Sequence, residues 1–387
     1  MARPEQVSRR PATRADIAPF FVMEVMRAAE LRTAAGHEVL HLEVGQPSTP
    51  APHAVIEAAH RALDGDVLGY TTAAGIEPLR RRIAEHYRAW YGRRVDPESV
   101  ILTVGASGAF VAAFMAAFDP GDRVVVPSPG YPCYRHALDL LGVEVVDLPT
   151  TIDTRFQPTV EQLDALGPVD GLVLSSPSNP TGTMLDAVRM ADVTTWCRDH
   201  NVWFVSDEIY HGITYGESAP TALQFDPDAI VISSFSKYFS MTGWRLGWLI
   251  APAILRTALT RIGQNVTIAA PTLSQLAAVA AFDSHDECEA NVARYTRNRR
   301  ILLDGLPEAG IDRLAPADGA FYVWAQTDHL ADDSQALCAR WLDELGVAVT
   351  PGIDFDPANG HRFVRFSFAG AEADVAEAVA RLRDWTP

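Results

Sequence analysis

The sequence predicts an α/β fold, with a large domain built on a mostly parallel seven-stranded sheet flanked by helices and a smaller α+β domain after it. Short β-branched runs alternate with helical patterns from about residue 100 to residue 250. Several of these runs are apolar throughout, as expected for strands buried on both faces of a parallel sheet. The pattern changes after about residue 284, and a length of 387 residues suggests more than one domain.

The strands of the large sheet are predicted from seven β-branched runs. These runs are 100–104, 123–126, 143–146, 171–174, 202–205, 229–232 and 246–250. Helical patterns fill the gaps, for example from Asp186 to His200, where Asp186 is expected to cap the helix. Open α/β sheets bind ligands at the carboxyl ends of their strands. The chemistry of this chain is therefore expected at that edge.

The smaller domain is predicted from helices and strands near the C-terminus. The helices are expected at 287–306, 334–345 and 371–382, and the strands at 320–324 and 361–368. A further helical segment, 20–34, precedes the large domain, after a charged and proline-containing stretch that predicts a loose arm over residues 1–14. We divide the chain into 1–45 (arm and helix packing with the small domain), 46–285 (large domain) and 286–387 (small domain).

Composition excludes several classes of function. The net charge of -17 argues against nucleic acid and anionic membranes as partners, because both require a basic face. The one basic run, Arg80–Arg82, is expected on the solvated side of a helix. No apolar run approaches the ~20 residues of a membrane span, so a cytoplasmic protein is expected. The cysteines are widely separated without metal-ligand spacing, which argues against a zinc site or a disulfide framework; they are Cys133, Cys197, Cys288 and Cys338.

Lys237 is the only lysine in the chain, and the other 31 of its 32 basic residues are arginine. Arginine stays protonated at physiological pH, whereas the ammonium of lysine can be tuned to deprotonate and attack a carbonyl. Lys237 is therefore a candidate for imine formation. If the carbonyl is that of pyridoxal phosphate, the use of its ring as an electron sink requires a carboxylate at the pyridine nitrogen.

Each need of that cofactor has a candidate in the sequence. Asp207 follows a buried strand and could hold the ring nitrogen protonated, while Tyr210 and Asn179 could hydrogen-bond the phenolic oxygen. Tyr131 could stack on the ring, although it could equally be a half-buried structural tyrosine. The phosphate could be held at a small-residue helix start and by polar residues around the lysine. These candidates are Gly105, Ala106, Ser107, Ser234, Ser236 and Arg245.

The spacing of the motifs is more informative than any one of them. Asn179 and Asp207 are 28 residues apart, and Asp207 and Lys237 are 30 apart. Each interval is close to one strand-helix-strand unit. Successive strand ends can therefore bring all three side chains to one edge of the sheet.

These motifs resemble those of the class I/II aminotransferases of pyridoxal-phosphate fold type I. The resemblance runs along nearly the whole chain and includes the Lys237 segment with its downstream Gly and Arg, the Ser-Asn-Pro-Thr-Gly-Thr turn and Ser-Asp-Glu-Ile-Tyr. It implies pyridoxal phosphate as cofactor and amino-group transfer between an L-amino acid and a 2-oxo acid. Lys237 would bind the cofactor and shuttle the proton.

The resemblance also implies the substrate contacts. Gly45 resembles the glycine whose backbone approaches the substrate carboxylate, with Asn179 nearby, and Arg365 resembles the arginine that binds that carboxylate. From strand geometry alone Arg362 would compete with Arg365; the family pattern favours Arg365. Tyr70 resembles the tyrosine that reaches the cofactor phosphate of the partner subunit, which implies a homodimer with shared active sites.

The substrate is expected to be a neutral or aromatic amino acid. Relatives that take acidic substrates can carry a lysine where Ser107 stands, and this chain has none to place there, although an arginine from elsewhere could substitute. Phe20, Phe21 and Tyr70 suggest an apolar side-chain pocket, although core packing explains the two phenylalanines equally well.

Two other functions on the same fold are weighed against amino-group transfer. One is a carbon–sulfur or other β/γ-lyase; the resemblance disfavours it, because such relatives often carry His where Tyr210 stands. The other is a non-catalytic regulator that senses pyridoxal phosphate. Such proteins carry a DNA-binding domain before this fold, whereas here about 20 residues precede the first predicted helix.

Overall fold

The computed structural model of the chain describes residues 10–386. Residues 1–9 of the predicted arm lie outside the described residues. The helices are α1 (Phe21–Ala34), α2 (His53–Gly65), α3 (Glu77–Tyr91), α4 (Gly105–Ala117), α5 (Pro132–Leu141), α6 (Val160–Asp164), α7 (Ala187–Asp199), α8 (Ala253–Val266), α9 (Thr272–Ala278), α10 (His285–Glu308), α11 (Ser334–Arg340) and α12 (Glu372–Asp384). The strands are β1 (Leu40–His41), β2 (Val100–Thr103), β3 (Arg123–Ser128), β4 (Glu144–Pro149), β5 (Gly171–Ser175), β6 (Trp203–Asp207), β7 (Ile230–Ser234), β8 (Gly247–Ile250), β9 (Tyr322–Gln326), β10 (Val347–Ala348), β11 (Thr350–Pro351) and β12 (Phe363–Ser367).

The large sheet has seven strands in the order β2-β8-β7-β6-β5-β3-β4. Strand β8 is antiparallel to both of its neighbours, and the other adjacent pairs are parallel. The mostly parallel seven-stranded sheet predicted from the sequence is therefore confirmed. Asp186 caps α7 as expected, because its side chain accepts a hydrogen bond of 2.8 Å from the backbone N–H of Arg189.

The central strands carry apolar residues on both faces because each face of the sheet packs into a different core. Val124 and Val126 of β3 belong to the cluster formed with α4, α5 and α8, whereas Val125 points into the cluster on the opposite face. That second cluster continues into the C-terminal part of the chain and includes Phe321. One continuous core therefore joins the sheet to the smaller unit.

The C-terminal unit contains an antiparallel sheet in the order β11-β12-β9, together with α10, α11 and α12. Helix α11 is shorter than predicted, and the chain continues as a π-helical turn at Trp341–Leu345. Strand β1 pairs in parallel with β10, and Arg32 of α1 forms an ion pair of 3.1 Å with Asp343. Residues 21–41 thus pack on the C-terminal unit; the boundaries 45 and 285 remain predictions.

The basic run on α3 differs from the expectation for one of its members. Arg80 is buried, and its Nε donates to the carbonyl oxygens of Pro97 and Val100 at 3.1 and 2.9 Å. Its guanidinium also lies 3.2 Å from the carboxylate of Glu98. Arg80 can be buried because these acceptors replace water around its guanidinium. A run of three arginines in the sequence does not indicate that such acceptors are present.

Candidate active site

One cavity, of about 230 Å³, lies at the carboxyl ends of the large sheet's strands. Within residues 10–386, the charged side chains that line it are Asp207, Lys237, Arg245 and Arg365. Asp207 is the last residue of β6, and Lys237 follows the end of β7 by three residues. The structure therefore brings the predicted chemistry to one edge, because parallel strands end on the same side.

The amine of Lys237 points into this cavity. Its Nζ donates a hydrogen bond of 2.5 Å to the backbone carbonyl of Gly45 and lies 5.7 Å from the ring centres of Tyr210 and Phe321. Burial, and then the positive charge of Arg365, lower the pKa of Lys237 to about 8, and Asp207 partly opposes this. The amine is thus prepared to act as a base or nucleophile near neutral pH.

Asp207 is a buried carboxylate that lines the same cavity as Lys237. It accepts hydrogen bonds from the hydroxyl of Tyr134 and from the backbone N–H of Ile209, the latter at 3.1 Å. Burial raises the pKa of Asp207 to about 6, against the lowering effect of these donors and of Lys237. A carboxylate held in this way can stabilise a protonated ring nitrogen.

The predicted phosphate ligands lie where α4 begins and where the Lys237 loop ends. Gly105 has a φ of +67°, and a Cβ there would collide with the guanidinium of Arg245. Arg245 itself donates to the carbonyl of Thr242 at 3.0 Å. The free N–H groups of a helix start and an arginine together form a site for a dianion.

Three of the predicted ligands of the cofactor do not line the cavity. Gly105 lies behind Arg245, although Ala106 and Ser107 reach the cavity. Ser234 lies behind Ser236, with its Oγ 2.8 Å from that of Ser236 and 3.0 Å from the carbonyl of Leu246. Its expected direct role is therefore not supported by the geometry, because its hydroxyl is engaged within the protein.

Tyr70 is the third predicted cofactor ligand that does not line the cavity, and its side chain is 84% exposed to solvent. The role of Tyr70 at a partner subunit's site stays a prediction.

The predicted substrate end contains Arg365, Asn179 and Gly45. Arg365 is 2% exposed, and its Nη1 donates to Asn179 Oδ1 at 2.8 Å while Nη2 donates to the carbonyl of Glu43 at 2.5 Å. Its guanidinium lies 4.4 Å from the ring centre of Tyr322. Arg362, in contrast, pairs with Asp328 and is 42% exposed in its side chain. Of the two arginines, only Arg365 reaches the cavity.

Two tyrosines that the sequence analysis did not single out shape the site. Tyr134 donates to Asp207, and Tyr322 hydrogen-bonds Tyr210 hydroxyl to hydroxyl at 2.8 Å. Tyr322 also packs so closely on Gly45 that a Cβ at that position would collide with its phenol. Tyr134 lies three residues after Tyr131, one helical turn apart, which could have indicated a shared face. No local pattern distinguishes Tyr322 from other core residues of β9.

Tyr131 and Phe20 form part of the aromatic wall. Their ring centres are 6.1 Å apart at 75°, and Tyr131 is similarly edge-on to Tyr134 at 5.5 Å. Both rings border the cavity, together with Val22 and Met23 from the start of α1. Phe20 thus lines the cavity and Phe21 does not, while the apolar side-chain pocket itself stays a prediction.

The residues present fit pyridoxal phosphate. An amine with a lowered pKa, a buried carboxylate and an arginine beside a helix start border a single cavity. The close approach of Gly105 to Arg245 leaves no room for a side chain at the helix start. Lys237 would hold the aldehyde carbon, Asp207 the ring nitrogen, and Arg245 with Ser107 and Ser236 the phosphate.

Comparison with known proteins identifies the family of this chain. The sequence profile of the family "Aminotransferase class I and II" matches residues 37–382. The valine–pyruvate aminotransferase of Mycobacterium tuberculosis is 48% identical over 383 residues, covering 98% of this chain and 99% of that protein.

Solved structures agree with this result. The crystal structure of an aminotransferase from Mycobacterium tuberculosis superposes with a TM-score of 0.96 at 48% identity, covering 98% of this chain and 99% of the other. The aspartate aminotransferase from Thermus thermophilus with maleate gives a TM-score of 0.92 at 31% identity, covering 97% of this chain and 100% of the other.

Proposed function

Because this chain belongs to the class I and II aminotransferases, we propose that its amino donor is a neutral L-amino acid with an apolar side chain, valine being the first candidate. The chain is a pyridoxal-phosphate-dependent aminotransferase that transfers an amino group to a 2-oxo acid. Its relative at 48% identity is named for valine and pyruvate. Another relative is named for aspartate, so an acidic donor is the alternative to test.

The observation that carries this choice is the charge on the cavity wall. Among the described residues, four charged side chains line the cavity, and each has a cofactor or carboxylate to bind: Asp207, Lys237, Arg245 and Arg365. Among residues 10–386, no further cationic side chain lines the cavity to pair with the second carboxylate of an acidic substrate. An acidic side chain would be buried there without a partner from its own chain, at a cost of several kcal/mol if none is supplied.

The chain's own groups can perform both half-reactions. When bound, pyridoxal phosphate supplies an electron-accepting ring and an aldehyde carbon that takes up the amino group. Lys237 Nζ would remove the proton from the substrate Cα and deliver it to the carbon that was the cofactor's aldehyde, and the second half-reaction would run this transfer in reverse; the lowered pKa of Lys237 permits both roles. Arg365 and the backbone at Gly45 hold the α-carboxylate, so that the α-hydrogen faces this amine. Asn179 and Tyr210 are the candidates for contact with the phenolic oxygen.

A donor screen tests the proposal. The holoenzyme is mixed with one amino acid at a time, and the loss of the visible absorbance of the lysine-bound cofactor is followed in a single half-reaction. Valine and other neutral donors should react at least ~10-fold faster per unit concentration than aspartate, because one unpaired buried charge costs more than 1.4 kcal/mol. A preference for aspartate would refute the donor class and leave the aminotransferase assignment intact.

The same preparation separates amino-group transfer from the lyase alternative. In amino-group transfer, the amount of free 2-oxo acid formed from the donor exceeds the amount of enzyme only when an acceptor such as pyruvate is added. Release of ammonia and a 2-oxo acid from a sulfur-containing donor without any acceptor would instead indicate β- or γ-elimination.

We also infer that the chain works as a homodimer with shared active sites. Tyr70, Val67, Val266 and Ile268 are exposed large apolar side chains, with exposures from 47% to 99%. The segments that carry them adjoin, because Thr272 Oγ1 donates a hydrogen bond of 2.6 Å to the carbonyl of Gly69. Exposed apolar side chains on adjoining segments are typical of a protein interface.

Subunit complementation tests the shared site. A Lys237→Arg chain and a Tyr70→Ala chain are each expected to be impaired alone. When mixed, dissociated and reassociated, they should form some dimers with one intact site, and part of the activity should return. Sedimentation as a monomer, or no recovery in verified heterodimers, would contradict the inference.

No helix within residues 10–386 is long and apolar enough to cross a membrane. We keep the cytoplasmic location as a proposal; the four free cysteines are compatible with a reducing compartment. Fractionation of the native host would test it.

A further inference from the structure

Helix α1 begins without a capping residue in its own sequence. Its N-cap position is Phe20, which has no side-chain acceptor. The backbone N–H groups of Phe21 and Val22 instead donate to the two carboxylate oxygens of Asp354, at 3.0 and 3.1 Å. A residue more than 330 positions away thus supplies the cap that helices normally take from a neighbouring Ser, Thr, Asp or Asn.

The capped turn is also part of the active-site wall. Phe20, Val22 and Met23 line the cavity, and the ring of Phe20 contacts Tyr131 edge-on. Val22 is 6% exposed, whereas Met23 is 49% exposed. The position of this turn therefore determines how much room remains beside the cavity for an apolar side chain.

Asp354 is built into a turn that touches the rest of the site. The next residue, Phe355, has its ring centre 4.6 Å from the guanidinium carbon of Arg365, and its carbonyl accepts a hydrogen bond of 2.9 Å from Gly130. Gly130 precedes Tyr131. The same turn thus contacts the carboxylate-binding arginine, the loop of the aromatic wall and the start of α1.

The charges around Asp354 favour its role as an anionic cap. Burial raises the pKa of Asp354, while the two backbone N–H donors, Arg365 and His136 lower it. The positive end of the helix dipole also favours a carboxylate at this place. The donors are the N–H groups of α1, so loss of the carboxylate releases that turn in particular.

We propose that Asp354 is a positioning residue that sets donor selectivity by holding the first turn of α1 against the substrate cavity. This inference rests on the proposed apolar donor for its substrate class. A fixed wall of Phe20, Val22 and Met23 leaves room for a compact side chain such as that of valine. Release of the turn should penalise compact donors, which need the wall for contact, and spare larger ones.

The test compares Asp354→Ala and Asp354→Asn with a control at Asp356. Asp356 belongs to the same loop, is 5% exposed, and accepts from the backbone N–H groups of Ala358 and Asn359 at 3.0 and 2.9 Å, so it caps a turn without touching α1. The kcat/KM for valine relative to phenylalanine is measured for each holoenzyme. Hydrogen exchange of the peptide that contains residues 20–26 is measured in parallel.

Asp354→Ala should lower the valine-to-phenylalanine ratio about 10-fold, mainly through KM for valine, and should speed exchange of the 20–26 amides by a similar factor. Asp354→Asn keeps one acceptor oxygen and should lie between this variant and the wild type. Asp356→Ala should leave both readouts unchanged even if it lowers Tm. An unchanged ratio or unchanged exchange in Asp354→Ala overturns the proposal.

The exchange result is independent of the donor class. If the wild type uses aspartate, the proposed donor fails, while faster exchange in Asp354→Ala still supports the cap and slow exchange still rejects it.

Discussion

The free amine of Lys237 should be measurable in cofactor-free protein near neutral pH. Its pKa is about 8 instead of 10.5, because burial and the charge of Arg365 destabilise the ammonium. Lowering the pKa from 10.5 to about 8 corresponds to destabilising the ammonium by about 3 kcal/mol. At pH 7.5 about a quarter of Lys237 is then uncharged, against about one in a thousand for an ordinary lysine. The amine should react roughly 200-fold faster at this pH than its ordinary pKa would allow.

Because Lys237 is the only lysine, the assay needs no correction for other side-chain amines. The cofactor-free protein is treated briefly with an acylating reagent at pH values from 6 to 11, and acylation of the Lys237 peptide is quantified by mass spectrometry. The α-amino group is separated in the N-terminal peptide. The acylation rate should rise with a midpoint close to pH 8.

Arg365, within β12, and Arg362, directly before β12, provide a matched pair of variants. Arg365→Met should raise the midpoint, because it removes a buried positive charge that lowers the pKa of Lys237. Arg362→Met should leave it unchanged, since Arg362 is paired with Asp328 outside the cavity. A wild-type midpoint near 10.5, or equal shifts in both variants, would refute this electrostatic reasoning.

Three further variants test separate parts of the site, and a fourth tests the stability of the fold. Lys237→Arg keeps a positive charge but cannot become a free amine, so activity should fall by more than about 10³-fold and borohydride should fix no cofactor to the protein. Arg365→Gln should raise KM for amino acids and lower kcat/KM about 100-fold, through loss of charge-assisted bonds of about 1.5–3 kcal/mol and their orientation; an unchanged KM would contradict its role. Gly105→Ala forces a Cβ against Arg245 at a φ of +67°, so cofactor affinity measured by absorbance titration should fall by at least ~10-fold; unaltered affinity would show that the phosphate lies elsewhere. Glu208→Gln should reduce the loss of stability at alkaline pH, as measured by urea unfolding at pH 5 and pH 9.

The sign of the Glu208 effect follows from its environment. Burial raises the pKa of Glu208 from 4.5 to about 8, against hydrogen bonds from Ala222, Thr221 and Ser206. At pH values between these two pKa values, the carboxyl group of Glu208 is protonated in the folded chain but has released its proton in the unfolded chain. Its contribution to stability is therefore complete below pH 4.5 and is lost as pH rises through 8. The neutral glutamine should flatten that part of the profile, and an equally steep decline would contradict the assignment.

The large sheet was predictable because its signal is local. Runs such as 124–126 and 202–205 are apolar at every position, which a strand buried on both faces requires. Asn179, Asp207 and Lys237 could be grouped because parallel strands end at one edge, so that spacing along the chain predicts proximity. Arg80 shows the limit of this reasoning, since its burial depends on carbonyl groups 17 and 20 residues away.

By itself, the sequence determined the fold class, the single lysine and the order of the cofactor motifs. These features are local: apolar runs mark the strands, and the motifs are spaced by about one strand-helix-strand unit. Tertiary structure alone decided that Tyr322 closes on Gly45, that Ser234 lies behind Ser236, and that Asp354 caps α1. The reason is physical: a side chain's partner, burial and pKa depend on atoms that folding brings from distant parts of the chain, and a local pattern carries no record of them.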